Sequence, residues 1–189
     1  MKIYLASRSP RRRELLTQIG IDYELVDVDI DETWDRIEKP ADYVCRVARE
    51  KAQTAYHNSS KTFPLLAADT AVVLNDRILG KAESIEDAKE MLTKLSGKTH
   101  LVLSAVTVIY EQEQTILSTS AVTFNHLSED DINDYVNTGE PLGKAGGYAI
   151  QGRAAIFIKQ LVGSYSGVMG LPLFETYELL GPLITERKQ

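Results

Sequence analysis

FPLLAADTAVVLN, residues 63–75, is apolar along nearly its whole length and carries one carboxylate, Asp69. An apolar run interrupted only at Asp69-Thr70 and ending in the turn pair Asn75-Asp76 predicts a buried strand. Alternating elements are predicted on both sides of it. Residues 2–6 read as a strand, 10–19 as a helix stopped by Gly20, and about 22–28 as a second strand. A helix over 41–56 places Val44, Val47, Ala48, Ala52 and Ala55 at helical spacing. Ser84 with Asp87, and Ser128 with Asp131, are spaced as capping boxes for helices over 85–95 and 129–138. Strands over 99–110 and about 115–124 flank EQEQ as a hairpin. A strand over 154–161 and a helix over 172–183 complete the chain. Helical crossovers together with a hairpin predict an α/β fold with a mixed sheet. No repeat and no long linker divides the chain, so residues 1–189 read as a single domain.

The 189 residues are 43% hydrophobic and 25% charged, an ordinary globular balance. A formal net charge of −6 and a pI near 5.2 disfavour a general nucleic-acid or anionic-membrane binder. Any anion held here is small and locally gripped. The single cysteine, Cys45, excludes an internal disulfide, and His57, His100 and His126 are too scattered for a metal motif. The apolar run at residues 3–6 is too short for a signal peptide, and no stretch approaches the ~20 apolar residues of a membrane span. A cytoplasmic protein is expected.

Against that acidic balance, ASRSPRRREL, residues 6–15, places Arg8, Arg11, Arg12 and Arg13 close together. Ser9 is expected as N-cap and Pro10 as the first helical residue, with the next three arginines in the first turn. Cations at a helix N-terminus oppose the helix dipole by some tenths of a kcal/mol each, and they repel one another. A bound polyanion reverses every one of these signs, because N–H groups, dipole and guanidinium forks then all face phosphate oxygens. The alternative is a solvated basic turn.

Asp69 inside its apolar strand needs a cation, a metal or several donors, unless it sits at a strand end and caps the next turn. Asp29, Asp31 and Glu32 form a second acidic source, or else a solvated loop. Together these acids make a hard, oxygen-rich site suited to Mg²⁺ or Mn²⁺ at phosphates. Lys51 falls on or beside the apolar stripe of its helix, as a site residue or as a snorkelling lysine. Lys81 follows Gly80 in a loop that frees its ammonium for a ligand. GKAGGYAIQG, residues 143–152, lets backbone approach a ligand closely, and Gln151 offers an amide to a base edge or to its own loop. The spacing fits neither a P-loop nor a dinucleotide-binding fingerprint. A phosphate-gripping helix start, two acid sources, two lysines and a glycine-rich wall describe metal-assisted attack on a phosphoanhydride.

LASRSPRR, EKA, AADT, the GK at 80–81, LSG, KAGGYAIQG and VMGLP, in this order, resemble the Maf family of nucleoside triphosphate pyrophosphatases, within the inosine-triphosphatase-like superfamily. The resemblance implies an elongated mixed sheet flanked by helices in two lobes around a central cleft. It implies hydrolysis of a nucleotide between its α- and β-phosphates with a divalent cation, Mg²⁺ or Mn²⁺, and a homodimer. By the resemblance, Asp69 is the catalytic base and a metal ligand, and Glu32 the second metal-binding acid. Ser7, Arg12, Arg13, Lys51 and Lys81 are phosphate-contacting positions, the two lysines with a catalytic part. Arg12, Thr70 and Gln151 resemble the dTTP/UTP branch; the 7-methyl-GTP branch typically has Trp, Gln and Glu there. Ala82, Gly143 and Gly147 depart from the family's usual Pro, Asp and Ala, and the first two are expected to loosen loops near the site. The family's name comes from an effect on septum formation, which carries a second reading: a non-enzymatic nucleotide- or nucleic-acid-binding regulator.

Overall fold

In the computed structural model, which describes residues 1–186, β1 (Lys2–Ala6) is followed by α1 (Pro10–Gln18), β2 (Asp22–Leu25) and α2 (Pro40–Asn58). Then come β3 (Leu65–Leu74), β4 (Arg77–Leu79), α3 (Ile85–Leu95) and the long hairpin β5 (Thr99–Ile109) and β6 (Glu113–Phe124). The chain continues with α4 (Glu129–Val136), a 3-10 helix (Arg153–Phe157), β7 (Ile158–Val162), α5 (Tyr165–Met169) and α6 (Leu173–Glu186). All seven strands share one sheet, ordered β2-β1-β3-β5-β6-β7, with β4 also on β3. β1 is parallel to β2 and β3, and every other pairing is antiparallel, so the mixed sheet stands as expected.

The central strand β3 pairs with β5 from Leu65 to Val73 along one edge. Its other edge is shared. Leu65–Ala67 pair with β1, and Val72–Leu74 pair with β4. Neither neighbour reaches residues 68–71, so the sheet is split there, beside Asp69 and Thr70. Alternation along β3 sets what faces each side. Leu65, Ala67, Ala71 and Val73 pack with Ala48, Ala52 and Ala55 of α2. On the opposite face Leu66 and Ala68 join Leu15 and Leu16 of α1 and Leu179 and Leu180 of α6. Val72 and Leu74 join Ala88 and Leu92 of α3 and Ile132 and Tyr135 of α4 in a separate cluster. The two clusters on that face fall on either side of Thr70, which makes the two lobes.

Three local expectations are corrected and one short helix is added. Residues 153–157 form a 3-10 helix, and only Ile158–Val162 is strand, because Ala154 and Phe157 turn into the core at a spacing of three rather than two. The strand predicted over 22–28 ends at Leu25, where β1 stops offering partners. The helix predicted over 172–183 is α6, and a short helix before it, α5, is capped by Ser164 through the Gly167 N–H. Ser9 precedes α1 but its side chain caps nothing; instead the Ser9 N–H donates to Ser7 Oγ at 3.1 Å.

Candidate active site

Asp69 points toward α2 from the split in the sheet, and α2 answers it with Lys51. Lys51 Nζ donates to Asp69 Oδ1 at 2.9 Å and lies 3.0 Å from Glu32 Oε2. Lys51 is only 9% exposed and Asp69 7%, so each is the partner that makes the other's burial tolerable. Lys51 shares its helix face with Val47, Ala48 and Ala55, one turn away, and with Val44, two turns away, all fully buried, so its ammonium ends on the two carboxylates. The snorkelling alternative is ruled out by this geometry. Glu32 reaches the pair from the loop before α2. That loop is held by Arg46, whose guanidinium takes the Glu38 carboxylate at 2.6 and 3.1 Å and the Thr33 carbonyl at 3.2 Å. Tyr43 donates to the Glu32 carbonyl at 2.8 Å. Burial, then the charges of Asp69 and Glu32, push the Tyr43 phenol up to about 12, so it stays a donor.

Thr70, next in sequence, points to the other face. Its Oγ1 bonds Ser104 Oγ at 2.9 Å and the Gly170 carbonyl at 3.4 Å. The same carbonyl accepts Arg12 Nε at 2.8 Å, and Arg12 Nη1 donates to Ser7 Oγ at 3.2 Å. Arg11 Nε donates to the Met169 carbonyl at 3.1 Å. Both guanidinium groups are therefore braced by the turn after α5, and their remaining N–H groups have no protein acceptor among the described residues. Burial lowers the pKa of Arg12, with Asp69 and Glu32 opposing the shift and Arg11 adding to it. Arg8 lines the cleft as well, with its guanidinium in a bidentate pair with Asp27 at 2.7 and 2.9 Å.

These groups open on one cleft of about 520 Å³. Charged and polar groups line it: Ser7, Arg11, Arg12, Asp29, Glu32, Lys51, Asp69 and Lys81. Val72, Val102, Tyr148, Ala149 and Val168 add apolar surface, and Thr70, Lys144 and Gln151 also line the cleft. Behind it, His100 Nε2 bonds the Tyr148 hydroxyl at 2.8 Å, and burial pulls the imidazole down to about 4. His100 therefore stays neutral near pH 7 and serves the core. Asp31 does not line the cleft; its carboxylate accepts the Thr33 N–H at 2.8 Å and shapes the loop.

Glu32 and Asp69 converge on one ammonium, so their oxygens already surround a cation-sized point. Two hard carboxylates fit a divalent cation such as Mg²⁺ or Mn²⁺, which commonly takes its other ligands from phosphates and water. Among the described residues no cluster of three or more His, Cys, Asp or Glu is gathered for a metal.

The chain matches the family model described as Maf-like protein over residues 2–183. It belongs to the Maf family. Two relatives are named dTTP/UTP pyrophosphatase. The one from Alkalilimnicola ehrlichii is 51% identical over 183 residues, covering 94% of this chain and 91% of its own. The one from Nitrosospira multiformis is 51% identical over 192 residues, covering 95% and 93%. Among solved structures, a nucleoside-triphosphatase / dITP/XTP pyrophosphatase from Mycobacterium abscessus is similar at a TM-score of 0.40 and 16% identity, over 67% of this chain and 76% of that one.

Of the residues singled out in this Maf-family sequence, Ser7, Arg12, Glu32 and Lys51 meet at the cleft with Asp69, Thr70, Lys81 and Gln151. Arg13 does not line it, whereas Arg11 does. Successive helical residues fan out by about 100° each, so three adjacent arginines cannot face one point; that geometry was available from the spacing. Tyr43, Arg46 and the carbonyls of Met169 and Gly170 were missed, since backbone acceptors leave no mark in a sequence. The expected loosening at Ala82 and Gly143 is also corrected. Ala82 N–H, which a proline lacks, donates to the Lys144 carbonyl at 3.1 Å, and the Gly143 N–H donates to the Ala82 carbonyl at 2.9 Å. Lys81 thus projects from a laced loop. In the glycine-rich strip, Gly146 sits at φ +67° with Val72 where its Cβ would be. Packing explains this glycine, and a ligand is not required.

Proposed function

We propose that this chain hydrolyses dTTP and UTP to the nucleoside monophosphate and pyrophosphate, the activity in the names of its relatives. The observation that carries the reading is the cleft itself: a paired buried carboxylate and an arginine-bearing helix start line one cavity together with apolar side chains. The triphosphate lies along Ser7, Arg12, Lys51 and Lys81, with Arg11 added by the geometry. The base lies toward Val72, Val102 and Tyr148, with Gln151 and Thr70 at its edge. Asp69 keeps Oδ1 on Lys51 and has no protein partner on Oδ2 among the described residues, so Oδ2 takes the proton of the attacking water. The water oxygen bonds the α-phosphorus, and the bond to the α,β-bridging oxygen breaks. The electron pair and negative charge leave on pyrophosphate. Arg11, Arg12 and Lys81 offset that developing charge by position alone.

Glu32 and Asp69 are the residues to hold a divalent cation, which when bound supplies further neutralisation of phosphate charge. Residues 1–189 work as one domain, in the cytoplasm, and a homodimer is the assembly the family resemblance supports. No described helix is long and apolar enough to cross a membrane, and the charge of −6 favours a small anion over nucleic acid. Product analysis over a nucleotide panel tests the reading. Monophosphate with pyrophosphate from dTTP and UTP is expected; orthophosphate with diphosphate overturns it. Binding without turnover would favour the regulator of septum formation instead.

A further inference from the structure

The base-edge amide of Gln151 is exposed and bonds nothing among the described residues, so only its backbone aims it. That backbone is tied down from outside the cleft. Glu140 Oε2 accepts the Arg153 N–H at 2.9 Å, and Glu140 Oε1 accepts the Ala154 N–H at 3.4 Å and the Tyr135 hydroxyl at 2.9 Å. The same Tyr135 oxygen accepts the Ala149 N–H at 3.3 Å. Residues 149–154 are therefore fastened at both ends to one phenol–carboxylate pair, with Gln151 between the fastenings. Gly152 completes the fit: a Cβ there would collide with the Glu140 carboxylate. The glycine is needed for Glu140, rather than for a ligand's approach.

We infer that Glu140, acting with Tyr135, is a positioning residue for nucleotide selectivity: it sets the loop so that the Gln151 amide meets the base. The inference rests on the proposed function above. Only a carboxylate suits the place, because it offers acceptors alone to three donors. An amide of the same size would turn its own N–H₂ against one of them. Burial, with Glu140 adding to it, holds the Tyr135 phenol well above its ordinary range, so it remains a donor throughout.

The test uses the full chain and measures kcat and KM for dTTP and for ATP in wild type, Glu140→Gln, Gln151→Ala and the double variant. Glu140→Gln is expected to raise the KM for dTTP about tenfold, the effect of one lost hydrogen bond to a charged group. The kcat should change far less, and the dTTP-to-ATP ratio should fall. On the Gln151→Ala background the same change should add nothing, because both act through one amide. Gly152→Ala, which displaces the carboxylate from the other side, should reproduce the KM effect, and it decides the matter should Glu140→Gln not fold. Additive effects, or an unmoved dTTP-to-ATP ratio, overturn the inference while leaving the pyrophosphatase standing. A wild type with no preference for dTTP overturns the inference, and one with no turnover of dTTP overturns the proposed function as well.

Discussion

Helices α3 and α4 begin in the same way, and α1 begins in the opposite way. Ser84 accepts the Asp87 N–H at 3.0 Å while Asp87 accepts the Ser84 N–H at 3.0 Å. Ser128 and Asp131 repeat the exchange at 3.1 and 2.8 Å. Acids fill both first turns, Glu86 and Asp87 in one, Glu129, Asp130 and Asp131 in the other. These starts are complete within the chain. The first turn of α1 has no acid and no side-chain cap, and it carries Arg11 and Arg12 toward the cleft. A helix start left positive and uncapped is poor for folding and good for an anion. The contrast separates elements that finish themselves from elements that a ligand finishes.

The strongest way to break the contrast is at Asp69, on the ligand side of it. Asp69→Asn retains the shape and a hydrogen bond but cannot take a proton from water. Turnover of dTTP with saturating Mg²⁺ or Mn²⁺ should fall by about 10²–10⁴. Lys51 remains paired with Glu32, so the variant should fold, with a melting temperature close to wild type. Near-normal turnover would make Asp69 a structural partner of Lys51 and nothing more.

A smaller effect separates the arginines. Arg12→Ala should weaken dTTP binding by about 10- to 100-fold, the value of a lost charge-assisted contact. It should also lower the melting temperature modestly, because Arg12 braces Ser7 and Gly170 in the free protein. Arg13→Ala should do neither, since Arg13 lies off the cleft. Calorimetric titration with dTTP beside thermal melts checks both variants. Equal affinity losses would show that the helix start binds by charge alone, without geometry.

The smallest effects lie on the self-completed side. Ser84→Ala and Ser128→Ala should each cost about 1 kcal/mol of stability. In denaturant titrations both midpoints should drop, while KM and kcat for dTTP stay put. A kinetic change from either serine would erase the division between the two kinds of helix.

Local chemistry made much of this legible in advance. A capping box closes over three residues, so α3 and α4 could be placed from four letters each. The carboxylate inside LLAADTAVVL announced a partner, and the apolar stripe of α2 announced that Lys51 was its neighbour or an exception. What went astray depended on contacts between distant segments. Whether residues 153–157 extend or coil was decided by Glu140, Ala154 and Phe157 meeting elements elsewhere, and Gly152 looked like room for a ligand until the Glu140 carboxylate occupied that room. Arg13 was expected at the cleft and does not line it, because charge is visible in a sequence and direction is not.

By itself, the sequence determined most of the strands and helices, the conflict at the start of α1, and the need of Asp69 for a cation. Each follows from groups within a few residues of one another, where propensity, dipole and desolvation act without knowledge of the fold. Only the tertiary structure decided that β1 ends and β4 begins on opposite sides of residues 68–71. That split leaves Asp69 with Lys51 and Glu32 on one face and Thr70 with Ser104 and the Gly170 carbonyl that Arg12 also takes on the other, and brings both to one cleft. Neighbours in sequence can serve opposite ends of a ligand because a strand turns alternate side chains to opposite faces, and only the missing neighbour strand lets the two faces meet.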